Sequence, residues 1–115
     1  MSSPGQSGSY HLHVYFSDDT EESAWQLREK AQHHPLVDQV GRFHPAPVGP
    51  HPVRQFQLRV KQRHLEQVVD WLETHRGDFD VLIHPEVEDD LLAHTVLASW
   101  LGKAHPLNLS CFEAQ

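Results

Sequence analysis

Eleven of the 115 residues are histidine, and they are scattered along the chain rather than gathered at one end. Several stand in patterned stretches: His11 and His13 in YHLHVYF, His51 in GPHPVRQFQLRV, His84 in VLIHP and His94 in AHTVLASWLG. A neutral imidazole gives a lone pair to a first-row divalent metal. Three of them converging from distant parts of a chain leave coordination positions for water, oxygen or a chelating substrate. Iron, zinc, copper and nickel all accept such ligands, so ligand type alone does not choose the metal. Imidazole, with an ordinary pKa of about 6.5, also serves as a general acid or base near neutrality, and His94 is the candidate for that work. Glu86, Glu88, Asp89 and Asp90 could complete a two-histidine-one-carboxylate set, or simply favour a helix N-terminus. Arg54, Gln55, Gln57 and Arg59 could hold a substrate's carboxylate or phenolic oxygens. The competing reading is that so many histidines must include some neighbours, each bonded to a carbonyl or to water.

Other chemistries find little support. The chain has no glycine-rich phosphate loop and no G-x-S-x-G elbow, and its one cysteine, Cys111, has no activating neighbours in sequence and no partner for a disulfide. With 9 Lys+Arg against 16 Asp+Glu, the net charge of -7 has the wrong sign for a phosphate-backbone binder. No apolar run approaches the roughly 20 residues of a membrane span, and no signal pattern opens the sequence, so the expectation is a cytoplasmic protein that binds neither membrane nor nucleic acid.

The elements that must position these histidines follow from periodicity. MSSPGQSGS, residues 1–9, reads as a disordered leader, and residues 10–115 as one domain. Leu12, Val14 and Phe16 alternate with His11, His13 and Tyr15 in a first strand with one apolar face. A capped amphipathic helix follows, with a stripe at Ala24, Trp25, Leu27 and Ala31, stopped by Pro35. Leu36 to Phe43 reads as a second strand, HPAPVGPHP as a stiff proline loop, and VRQFQLRV as a third strand with Phe56, Leu58 and Val60 inside. Leu65, Val68, Val69 and Leu72 mark a second helix ending near Gly77, and FDVLIHP a fourth strand. DDLLAHTVLASWLG reads as a short third helix ending at Gly102, and LNLSC as a late edge strand; Trp25, Trp71 and Trp100 are expected in the core from helical stripes.

Strand, helix, strand, strand, helix, strand is the ferredoxin-like α+β pattern, an antiparallel sheet with helices on one face, here with an extra short C-terminal helix. In its strand order, 4-1-3-2, the first strand is expected between the third, parallel to it, and the fourth, antiparallel to it. The start of strand one, the start of strand three and the end of strand four would then share one rim. Those places carry His11 and His13, His51, and His84, and counting by twos puts all four on the face away from the helices. An open sheet face on so small a domain also predicts a homodimer.

Taken in order and at these spacings, YHLHVYF, GPHPVRQFQLRV, VLIHP and AHTVLASWLG resemble the DOPA 4,5-dioxygenase family of small ferredoxin-like proteins, over about Tyr10 to Ser110. The resemblance implies an extradiol dioxygenase in which a non-haem Fe(II) binds the two oxygens of a catechol, such as DOPA or a related aromatic, together with dioxygen. Zinc is the alternative metal in isolated protein. The implied metal ligands are His13, His51 and His84, with His94 as acid/base group or added ligand and His11 as a neighbour that contacts substrate. A reading of another class uses the same pocket in a metal- or small-aromatic-binding homodimer without turnover. In a third, the sheet face is buried in the dimer and the histidines are incidental.

Overall fold

The computed structural model describes residues 8–112, so most of the expected leader lies outside the described residues. The alternating segment forms β1 (Ser9–Phe16), starting one residue earlier than its pattern suggests. At its end the Ser17 N–H donates to Thr20 Oγ1 at 3.0 Å, turning the chain into α1 (Glu21–Gln32). β2 (Gln39–Val40) is far shorter than expected; β3 (Arg54–Lys61), α2 (Leu65–His75) and β4 (Asp80–Pro85) follow. Gly77, at φ +57°, takes the left-handed conformation that ends α2.

All strand pairs are antiparallel, in the order β2-β3-β1-β4-β5, which contains the expected 4-1-3-2 arrangement. The expected parallel pairing of β1 with β3 is corrected: Ser9 lies opposite Lys61 and Phe16 opposite Arg54. The reason is topological. The α1 crossover returns β2 in the direction of β1, and the following loop reverses the chain into β3. The start of β3 therefore lies at the far end of β1 from His11.

The expected third helix is also corrected. Only one turn forms, α3 (Asp90–Ala93), capped by the Asp89 carboxylate accepting from the Leu92 N–H at 3.0 Å. The rest becomes β5 (Ser99–Leu101), which pairs Leu82 with Trp100 and so satisfies the backbone along the free edge of β4. LNLSC is not a strand: Leu109–Phe112 is a 3-10 turn. Trp71 packs against the core as expected, whereas Trp25 is exposed and Trp100 belongs to a strand rather than a helical stripe.

Leu12, Val14, Phe16, Phe56, Leu58, Val60, Val81 and Ile83 form the core face of the sheet against Ala24, Leu27 and Ala31 of α1 and Val68 and Leu72 of α2. The opposite face is not open. Tyr15, Gln55 and Leu82 are buried there beneath the proline loop and the segment after β5. Asp80 anchors that segment by accepting from Lys103 N and His105 Nε2, each at 2.7 Å, and the Asn108 N–H joins the two coverings through Pro50 O at 2.8 Å. The physical basis expected for a dimer through this face is therefore lost. Apolar side chains are exposed elsewhere, at Val87, Leu91, Leu92, Val96 and Leu97. No helix among the described residues is long and apolar enough to cross a membrane.

Candidate metal centre

Register decides which side chains meet. On the face away from the helices, His11 sits between Arg59 and His84, His13 between Gln57 and Leu82, and Tyr15 between Gln55 and Asp80. His51 arrives by a different route from the expected one. A turn through Gly49, at φ +57°, closed by the His51 N–H on Val48 O at 3.1 Å, folds the proline loop back over the sheet. His51 then lies above His13, ring centres 4.2 Å apart. His94, just past α3, comes in from the side, 4.1 Å from His84 and 5.9 Å from His51 between ring centres.

Two groups of imidazoles bring their ligating nitrogens within 4.8 Å of one another: His11, His13 and His84, and His13, His51 and His94. The expected trio of His13, His51 and His84 is thus divided between two triads that share His13. His13, His51 and His84 are all buried, and with Gln55 they are the buried polar side chains of the described residues. Burial, before any neighbouring charge, holds the His13 pKa well below its ordinary value, and the His51 and His84 rings add to the effect. The same cause brings His51 down to about 3 and His84 to about 4. His11 is also lowered by burial, against the opposing pull of Glu86. Neutral imidazoles are the form that binds metal.

The outer nitrogen of each ring shows what the inner one can do. His13 Nδ1 donates to Gln55 Oε1 at 2.9 Å, His84 Nδ1 to Pro85 O at 3.0 Å and His94 Nδ1 to Asp90 O at 2.7 Å. Pro85 O and Asp90 O can only accept, and Gln55 presents its accepting Oε1 to His13, so each ring keeps its hydrogen on Nδ1 and turns the Nε2 lone pair inward. His13 Nε2 and His84 Nε2 then face each other at 2.9 Å, lone pair against lone pair. A cation shared between them removes that repulsion, so the donor set fits a divalent metal.

The remaining expected residues fall out as follows. His11 Nε2 pairs with Glu86 Oε2 at 3.0 Å, and the Arg59 guanidinium holds the same carboxylate at 2.9 Å, keeping it ionised at the rim. Gln57 lines the cavity, but Gln55 is spent on His13. Arg54 does not join the site. It follows the parity of Phe16, stacks over the Phe16 and Phe43 rings, and pairs with Asp18 and Glu21 on the helix side.

The cavity encloses about 250 Å³, with imidazoles on one wall and Pro50, Pro85, Val87 and Phe112 among the rest. Two of its supports were missed in the sequence. Tyr15, whose hydroxyl lies 2.7 Å from His51 Nδ1, shares the parity of His11 and His13 and could have been found by the same count. Phe112, 5.3 Å from the His94 ring, comes from an aperiodic segment that carries no such signal.

Comparison with known proteins bears on the fold and the family. A crystal structure from Nostoc punctiforme, described as a "putative dioxygenase", superposes with a TM-score of 0.89 at 32% identity, covering 99% of this chain and 98% of that one. The DOPA 4,5-dioxygenase of Amanita muscaria is 29% identical over 112 residues, 88% of this chain. An uncharacterised 21.2 kDa protein of Botryotinia fuckeliana is 30% identical over 117 residues, 92% of this chain. The chain spans only 48% and 64% of the lengths of those two relatives. The family model described as the Dopa 4,5-dioxygenase family matches residues 10–111, nearly everything the histidine cluster is built on, and the chain belongs to that family.

Proposed function

We propose that this protein is a metal-dependent extradiol dioxygenase that opens the ring of a catechol, DOPA or a related aromatic, with Fe(II) as its working metal and zinc as a substitute in isolated protein. One observation carries the reading: His13 and His84 present inward lone pairs 2.9 Å apart, with both outer nitrogens committed to acceptors. When bound, the metal supplies the Lewis-acid and redox centre at which a catechol's two oxygens and dioxygen are brought together. His13, common to both triads, is its central ligand, and the reading takes His84 from one triad and His51 from the other as the further ligands.

His94 stands at the cavity wall with Nε2 free to take a proton from a catechol hydroxyl and return it to the opened product. Pro50, Pro85, Val87 and Phe112 give an aromatic ring an apolar surface and exclude water behind it. His11 and Gln57 are placed at the cavity wall to hydrogen-bond the substrate's polar groups. The reading includes a homodimer, now through the exposed apolar residues around α3 rather than through the sheet face.

The test is anaerobic loading with Fe(II), followed by a panel of catechols and air. Oxygen uptake with the yellow absorbance of a ring-opened semialdehyde is expected. One metal per chain without oxygen uptake would favour the non-catalytic binding protein, and no bound metal would reject the site. Sedimentation of wild type against a Val96→Asp variant tests the dimer.

A further inference from the structure

Four imidazoles of the centre have their Nδ1 atoms held from outside, but the four partners are not alike. Pro85 O and Asp90 O can only accept, and Gln55 presents its accepting Oε1, so His13, His84 and His94 carry their hydrogen on Nδ1. The partner of His51 is a hydroxyl, Tyr15 Oη at 2.7 Å, which can donate or accept. His51 is therefore the one ring of the four that can turn either a lone pair or an N–H toward the cavity without losing its outer hydrogen bond.

The hydroxyl itself has little freedom to move. Tyr15 is buried in β1, its ring edge-on to Trp100 at 5.5 Å and to His105 at 5.0 Å, and His105 is in turn held by Asp80 at 2.7 Å. Burial also raises the phenol pKa, so the group stays a hydroxyl. A phenol O–H is a better donor than its oxygen is an acceptor, and an imidazole lone pair is a good acceptor. With no cation present the favoured arrangement has Tyr15 donating to His51 Nδ1, which leaves the hydrogen on Nε2.

We propose that Tyr15 is a positioning residue that switches His51 between two neutral tautomers: it donates to Nδ1 in the metal-free protein, and accepts from Nδ1–H once a divalent cation takes Nε2, the proton released from Nε2 going to water and one from water replacing it at Nδ1. The inference rests on the reading of the cluster as a metal centre. It gives the site one adjustable ligand among rigid ones, so that the metal-free cluster need not set every lone pair against another.

The experiment is 15N NMR of the histidine side chains in wild type and Tyr15→Phe, without metal and through a titration with Zn2+, a diamagnetic probe. For wild type the expected result is His51 protonated on Nε2 without metal and on Nδ1 with one zinc bound, while His13, His84 and His94 keep Nδ1–H throughout. For Tyr15→Phe the expectation is a mixture of His51 tautomers without metal and zinc binding weaker by about 10- to 100-fold, the usual effect of removing an outer partner. Zinc bound with His51 in the same tautomer before and after overturns the switch and leaves the metal centre standing. No zinc bound by wild type overturns both. Because wild type alone can decide the tautomer question, the conclusion survives a variant that folds poorly.

Discussion

The two faces of the sheet are made from the same strands by the same alternation, yet they are stabilised in opposite ways. On the helix side, Leu12, Val14, Phe56, Leu58, Val60 and Val81 are fully buried among other hydrocarbons, and their contribution grows with apolar area removed from water. On the other side, one residue along each strand, buried imidazoles, an amide and a phenol meet, His13 with Gln55 and His51 with Tyr15 through directional bonds. The first face tolerates approximate shape and punishes lost volume. The second tolerates little change in donor and acceptor, and its facing lone pairs on His13 and His84 make it a poor source of stability in the metal-free protein.

The contrast can be broken most forcefully from the apolar side. Phe56→Ala should lower unfolding free energy by about 3 to 5 kcal/mol, measured by urea denaturation, and weaken metal binding only by unfolding the protein. His13→Ala should do the reverse. Zinc stoichiometry measured by equilibrium dialysis should fall from one per chain to none, with a smaller loss of metal-free stability than in Phe56→Ala. A His13→Ala protein that still binds one zinc would remove the shared ligand from the argument.

Acid should act most strongly on the polar face. Above pH 6.5 the imidazoles are neutral in folded and unfolded chains alike, and stability does not change on their account. Below it the unfolded chain takes up protons that the folded site refuses, down to about 4 for His84 and about 3 for His51, so metal-free stability falls as pH falls through that window. Urea midpoints at pH 7, 5.5 and 4.5 measure the decline, which a doubly substituted His51→Leu/His84→Leu protein should show in reduced form, because His13 stays buried and its pKa stays low.

The finest test uses neighbours in sequence. Gln55→Ala, on the site face, should weaken zinc binding by about 10- to 100-fold in a competition assay. Arg54→Ala, one residue earlier and on the helix side, should leave zinc affinity unchanged. Its ion pairs with exposed Asp18 and Glu21 contribute about 1 kcal/mol or less, and the lost stacking on Phe16 and Phe43 and the lost bond to His44 O add to that. Equal effects of the two changes on zinc would mean that the faces are not separate.

Those two neighbours also mark how far the sequence could be read. Alternation is a local property, so the faces of β1, β3 and β4, the core residues and the convergence of His11, His13 and His84 were all legible. Arg54, at the start of β3, was grouped with Gln55 and Gln57 because substrate contact was inferred from residue type, although its parity with Phe56 put it on the other face. His51 was placed near the others from a strand direction that proved wrong. It reaches the site through a turn at Gly49, and no periodicity describes a turn. The helix expected through Trp100 failed for a nonlocal reason as well: the edge of β4 needed a partner, and residues 99–101 supplied it.

The loop that carries His51 has Pro45, Pro47, Pro50 and Pro52 within nine residues. Each ring narrows the backbone choices of the unfolded chain, so less disorder is surrendered when the loop takes its folded path. In the proposed metal centre, a cation bound by His51 would meet a loop whose backbone choices are already few. Its capture should be fast and nearly free of loop reorganisation, where glycine-rich replacements at these positions would make binding wait on a conformational search.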